Sequence, residues 1–409
     1  MRLASNPAFT VTDSGLHVGK IDIHELLNAH QPPFFIFIID RVKQNCRLLA
    51  STVTEKFPGS MPYYSIKTNA QPRILQAISS EGYGAQVVSR KEFELAIDAG
   101  FPAGKILVDG IYHDDSLFSL IQEHDDLLVV ESWLSNVPRL QEACITGNHG
   151  ARLGLRFRYP GKGSRLGFST KDDAGLEQLG TAISNADRLQ PCMLACHPGS
   201  QVQDAAAHAV ACGTLLDAWD LLEQKHGVTF QKPVLLNLGG GFPEPEMATA
   251  EHLNEIMARV MNEIQKNHDL GECIPCFEPG RYIVADAGAF VATILQIFQD
   301  DDEQRWILLD VGMDVLSRFA NSHYRFFSLE HPDAPHGTPI SIQGRVPTEQ
   351  DVFGKGVHFA KNVNPGEHVL IMNCGAYGST FSMRFSYDQP DCIFIVTDGN
   401  LIIEKPALF

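Results

Sequence analysis

A lysine, a histidine, a glutamate and a run of glycines in this chain each follow a short apolar segment, and together they have the makings of Schiff-base chemistry. Lys67 ends the aromatic run Pro62-Tyr63-Tyr64-Ser65-Ile66 and precedes a polar Thr68-Asn69 turn. An amine held at a strand end on rigid scaffold is partly desolvated, which suits it to attack a carbonyl. The triplet Gly239-Gly240-Gly241 directly follows Leu235-Leu236-Asn237-Leu238. Without side chains its backbone amides can approach a ligand closely and cradle a phosphate dianion. Glu278-Pro279-Gly280-Arg281 adds a carboxylate at another strand end and, three residues on, a guanidinium able to pair with phosphate. His197-Pro198-Gly199-Ser200-Gln201 brings an imidazole and a hydroxyl on a tight turn, Arg156 lies in a further apolar run, and Cys374-Gly375-Ala376-Tyr377-Gly378 offers a phenol on a glycine-flanked loop. Singly these read as a solvated lysine, a tight turn, a surface ion pair and a core tyrosine. It is their shared position at the ends of successive apolar runs that points to one common edge.

The elements that must supply that edge recur from about residue 33 to 285, where short apolar runs alternate with helical stretches. The runs cover 63–66, 85–88, 106–108, 127–130, 153–157, 193–196, 234–238 and 275–277. Eight such units in roughly 250 residues predict a (β/α)8 TIM barrel, whose strand C-terminal ends form the catalytic face; an open doubly wound sheet is the alternative. Between runs, residues 89–99 predict a helix capped by Ser89 and stopped by Gly100, and residues 205–225 carry Leu215, Leu216, Trp219 and Leu222 on one face. Beyond residue 286, β-branched and aromatic runs separated by Gly, Pro, Asn and Asp predict a mostly β domain. Residues 9–18 have the same texture. The expected organisation is therefore a barrel over 33–285 and a β domain from 1–32 and 286–409.

Composition narrows the partners. The 49 acidic against 32 basic residues and a pI near 5.3 argue against nucleic acid and anionic membranes and for a small-molecule substrate. The first ten residues lack a basic segment followed by an apolar one, and no stretch is apolar for long enough to span a bilayer, so a cytoplasmic location is expected. Nine scattered cysteines do not make a secreted disulfide framework. Cys273 and Cys276, and Cys192, Cys196 and His197, read as small residues of buried strands rather than as metal ligands, so no metal is expected.

Taken in order, these motifs resemble the fold-type III pyridoxal-phosphate decarboxylases, the group of ornithine, diaminopimelate and carboxynorspermidine decarboxylases. The resemblance runs from Pro33 to about Tyr387. It implies an alanine-racemase-like barrel with a C-terminal β domain, in a homodimer with shared active sites. It also implies that Lys67 forms the Schiff-base linkage to pyridoxal 5'-phosphate and that His197 stacks on the cofactor ring. Ser200, Gly239, Gly240, Gly241, Gly280, Arg281 and Tyr377 would hold the phosphate, Glu278 would sit by the pyridine nitrogen, and Arg156, with Arg165, would belong to the cofactor's surroundings. Lys67, His197 and Glu278 are the expected catalytic residues. Losing CO2 leaves a carbanion, and a ring nitrogen kept protonated by a carboxylate is the strongest sink for it. The racemase branch has an arginine there instead, so Glu278 favours decarboxylation. A racemase and an inactive regulatory homologue remain the alternatives.

The chain also departs from that pattern. Where the decarboxylases carry a catalytic cysteine in Gly-Pro-x-Cys-x-x-x-Asp, this sequence has Gly344-Arg345-Val346-Pro347-Thr348-Glu349-Gln350-Asp351, and Pro347 has no proton to give. His323, Tyr324, Glu349 and Cys374 are conceivable substitutes. Gln86 stands where many members have aspartate. In Asp310-Val311-Gly312-Met313-Asp314-Val315-Leu316-Ser317-Arg318 the arginine resembles the residue that holds the distal carboxylate of diaminopimelate, and a guanidinium can bind such a group bidentately. Arg318, Tyr324, Arg345 and Asp351 are the expected substrate contacts, with Arg384 enlarging the anionic pocket. The altered loop points to an unusual carboxylate-bearing substrate, such as the citrate–amino-acid conjugates of siderophore pathways.

Overall fold

The computed structural model describes residues 3–13, 15–161, 164–316, 322–383, 385, 387–396 and 401–404. Its larger unit is a barrel of eight parallel strands in chain order: Tyr63–Ser65, Gly84–Val87, Ile106–Asp109, Leu127–Glu131, Ala151–Phe157, Leu189–Cys196, Val234–Asn237 and Cys273–Cys276. All eight expected runs are strands. The doubly wound alternative is excluded because the ends of the sheet meet: Tyr63 N donates to the Phe277 carbonyl at 2.8 Å and Ser65 N to the Pro279 carbonyl at 3.3 Å.

Helices pack outside the barrel, and polar side chains start several of them. Ser89, Asp114, Asp172 and Thr249 accept hydrogen bonds from Glu92 N, Leu117 N, Gly175 N and His252 N, using donors that a helix start leaves unpaired. Leu95, Ala96 and Ile97 turn into Gly100, which has a φ of +91° and ends that helix. Inside the barrel, an apolar plug of Tyr63, Leu107, Leu128, Val130, Met193, Ala195 and Cys276 fills the lower half. Side chains two residues further along the strands point the same way. They replace the plug with a polar layer that includes Asp109, Arg156, Asn237 and Glu278, and that layer is the floor of the site.

The second unit is a nine-stranded mixed sheet among the described residues, built around the long strand Gly288–Gln299. The three-stranded meander of Phe9–Thr12, Gly15–Val18 and Ile21–Asp22 shares an apolar cluster with it: Phe9, Leu16 and Leu26 join Ile36, Val291, Leu370 and Ile393. One boundary differs from the sequence expectation. Phe34–Ile38 lies in this sheet, antiparallel to Gly288–Gln299 and parallel to Asp391–Ile395, so the chain enters the barrel after Ile38 rather than at residue 33. All five of its residues are buried. A strand apolar on both faces carries no alternation to say which sheet it serves.

Candidate active site

The strand ends open onto a cavity of about 590 Å³. Lys67, Arg156, His197, Ser200, Gly240, Gly241, Glu278, Gly280, Arg281 and Tyr377 all line it, together with Asp109, Gln201 and Phe242. Lys67 sits on a single 3-10 turn, Ile66–Thr68, that continues the first strand, and its side chain is solvent-accessible within the cavity. A larger open groove of about 770 Å³ lies outside the barrel against the helices Ala206–Asp220 and Ala250–Ile264, and it holds none of the expected site residues.

Glu278 is buried at the end of the eighth strand. Asn237 Nδ2 donates to its Oε1 at 2.6 Å, and its own N–H donates to the Gly239 carbonyl at 2.8 Å. Burial, followed by the charge of Asp109, raises its carboxyl to about 7, against the opposing pull of Lys67, Asn237 and Arg156. His197 Nδ1 accepts from Gly240 N at 3.2 Å, which leaves the proton on Nε2. Burial and the charges of Arg156 and Lys67 push this imidazole down to about 3, so it presents an uncharged ring to the cavity.

The glycines are steric necessities. A Cβ on Gly239, whose φ is +67°, would stand 2.6 Å from His197 Nδ1; one on Gly241 would stand 2.6 Å from the Gly199 carbonyl; on Gly240 it would collide with the Glu278 carbonyl, and on Gly280 with the Thr68 hydroxyl. Gly239 itself lies just behind the lining. Arg281 is buried, with its guanidinium 5.1 Å from the Tyr377 ring centre and 3.4 Å from both Glu244 Oε1 and Ser322 Oγ. Tyr377 is tied back to the lysine turn, its N–H donating to the Thr68 carbonyl at 2.8 Å, with a left-handed φ of +64°.

Other expected residues lie elsewhere. Tyr324, Arg345 and Asp351 do not line the cavity of their own chain. Asp351 is a brace for its loop: Met313 N and Val346 N donate to its two carboxylate oxygens, each at 2.8 Å. Arg345 stacks 3.8 Å above the Tyr387 ring, and Tyr324 packs edge-on to Phe353 at 6.3 Å. Leu166, not Arg165, faces the cavity. Arg318 and Arg384 lie outside the described residues. Cys374 is fully buried with its thiol on the Ile371 carbonyl at 3.1 Å, burial pushes it well above its ordinary pKa, and it does not line the cavity.

Two carboxylates were not foreseen. They are Asp109, in Val108-Asp109-Gly110, and Glu244, in Pro243-Glu244-Pro245-Glu246. Glu244 is buried and accepts from Gln201 Nε2 at 3.0 Å and Asn373 Nδ2 at 3.2 Å, joining barrel to β domain.

An amine at a barrel mouth, with an anion cradle on one side and a buried acid on the other, defines a pyridoxal-phosphate enzyme. The fit is physical: glycine amides and Arg281 suit a phosphate, the buried hydroxyl of Thr68 has no hydrogen-bond partner, and Glu278 suits a ring nitrogen. Residues 41–285 match the family model described as "Pyridoxal-dependent decarboxylase, pyridoxal binding domain", and the chain belongs to that family. It is accordingly a pyridoxal-phosphate-dependent carboxy-lyase. Over 428 positions it is 24% identical to diaminopimelate decarboxylase of Methanothermobacter thermautotrophicus, covering 98% of this chain and 95% of that protein. It is 22% identical to L-glutamyl-[BtrI acyl-carrier protein] decarboxylase of Niallia circulans, covering 93% and 92%. Among solved structures, diaminopimelate decarboxylase from M. jannaschii in complex with L-lysine superposes with a TM-score of 0.87 at 20% identity, covering 98% of this chain and 95% of that one.

Proposed function

We propose that this enzyme decarboxylates an α-amino acid, or an amino-acid conjugate, that carries a second carboxylate far from the reacting carbon. The observation that carries the reading is Glu278, a carboxyl buried in the same cavity as the accessible amine of Lys67. Pyridoxal phosphate, when bound, supplies the sink for the electron pair released with CO2. Lys67 Nζ is the amine for its aldehyde, and the neutral His197 ring is a stacking surface. The loop 239–241, with Ser200, Gly280, Arg281 and Tyr377, holds the phosphate. Glu278 keeps a proton at the ring nitrogen. Arg156 belongs to the same polar layer.

On the substrate side, Arg318 and Arg384 are the cations for the distal carboxylate. The relatives named for diaminopimelate and for a carrier-bound glutamyl group both act on amino acids with a further acyl function, which supports a dicarboxylic or conjugated substrate. Citryl-amino-acid intermediates of siderophore assembly belong to that class. We further propose a cytoplasmic homodimer in which the loop 344–351 of a second copy, with Arg345 and Tyr324, closes the cavity. Among the described residues no helix is long and apolar enough to cross a membrane.

The test is CO2 release from meso-diaminopimelate and citryl-amino-acid conjugates, with L-lysine as the control lacking a distal carboxylate. Turnover of at least one of the first two above lysine is expected. Cα deuterium exchange without CO2 from all of them would replace decarboxylation by racemisation.

A further inference from the structure

Two opposite charges in the polar layer have no part in the scheme above. Asp109, 4% exposed at the end of the third strand, places Oδ1 at 3.3 Å from Arg156 NH1, itself on the fifth strand. The backbone carbonyl of Asp109 is fixed in turn by Gln86 Nε2 at 2.8 Å, from the second strand. Both charges border the cavity that holds Glu278. A guanidinium buried without a partner would be costly and would draw in the nearest available carboxylate. In this layer the available carboxylate is Glu278.

We propose that Asp109 is a positioning residue: by pairing with Arg156 it keeps that guanidinium from capturing Glu278, so that Glu278 stays available to the ring nitrogen of the cofactor. The pair also sets the local field. Lys67 and Arg156 lower the proton affinity of Glu278, and Asp109 offsets them across a medium of low dielectric. Replacing Asp109 by asparagine removes the offset while keeping the size of the side chain. Glu278 is then drawn to Arg156 and holds its proton less tightly. Asn237, the other group bonded to Glu278, carries no charge and cannot compensate.

This inference rests on the decarboxylase reading, but its first test does not. In the cofactor-free protein, the Glu278 carboxyl is followed by 13C NMR of labelled glutamate, assigned with Glu278→Gln, in wild type and in Asp109→Asn. The expected result is a downward shift of the Glu278 titration by about one pH unit, a tenfold change in proton affinity. An unchanged titration in a folded Asp109→Asn protein would overturn the proposal. The second test uses the loaded enzyme. Asp109→Asn lowers kcat about tenfold with little change in KM, and adding Arg156→Met to that variant brings kcat back to the level of Arg156→Met alone, because no guanidinium is left to restrain. A double variant as slow as the product of the two single effects would show that the residues act independently, and would equally overturn the proposal. If wild type releases no CO2 but the titration still shifts, the activity assignment fails while the role of Asp109 stands.

Discussion

Lys67 and Glu278 stand in the same cavity with opposite demands on solvent: the amine is open to it, and the carboxyl is shut away and held by Asn237. Lys67→Ala removes the only lysine lining the cavity among the described residues. It should abolish the visible absorption that marks covalently held cofactor and cut CO2 release by at least about a thousandfold. A retained absorption band would disprove the assignment. Glu278 carries a stability signature as well. Its carboxyl is raised from 4.5 to about 7 in the folded protein. A group raised on folding favours the fold fully below its unfolded value, and that contribution is lost as pH climbs through the folded one. Between pH 4.5 and 8, cofactor-free wild type should therefore lose stability relative to Glu278→Gln, by on the order of 3 kcal/mol if the whole shift is expressed. Urea unfolding of both proteins at the two pH values measures it. An equal difference at both would show that Glu278 does not titrate abnormally. The lysine and the glutamate were legible because each ends an apolar run. Asp109 was not, since an aspartate before glycine also reads as a turn, and only barrel closure brings the third and fifth strands' side chains together.

The loop after the seventh strand works by leaving room. Glu278 N donates to the Gly239 carbonyl and Gly240 N to His197, so one short backbone segment fixes both the acid and the imidazole. A Cβ on Gly240 meets the Glu278 carbonyl, a backbone atom with no rotamer to yield. Gly240→Ala should therefore displace the loop, weakening cofactor binding at least about tenfold while far-UV circular dichroism stays that of the wild type. Titration of the cofactor-free protein with pyridoxal phosphate tests it, and unaltered affinity would sink the cradle. At this scale the sequence was a good guide: each barrel run showed as a short apolar stretch, and the helices after the second, third, fifth and seventh strands start on a polar cap. It failed at Phe34–Ile38, whose neighbours in the sheet come from residues some 250 and 350 positions later. No local pattern encodes a pairing of that range.

At the scale of the whole molecule, the cavity mouth is bordered by apolar side chains that one chain leaves in water. Ile111, Tyr112, Leu166 and Phe381 line it and are exposed, and Met383 and Phe385 extend the same segment outward, at 58% and 52% exposure. Apolar groups gathered around a polar site are unusual on a monomer's surface and common at an interface. Tyr324, Arg345 and the Pro347 loop, absent from their own cavity, are what a second copy would bring. The expected particle is a dimer of the 45.1 kDa chain, stable to nanomolar concentration in sedimentation experiments. Met383→Asp with Phe385→Asp replaces two side chains, each stabilising by about 1.5–3 kcal/mol when buried, with charges that resist burial. That change should weaken the dimer by at least about a hundredfold, and CO2 release should fall in proportion to the monomer formed, recovering as protein concentration is raised. Neither substituted residue lines the cavity, so activity lost without dissociation would not follow from this arrangement. A wild-type monomer with full activity would refute the shared site directly, and would require each chain to protonate its product from within its own walls.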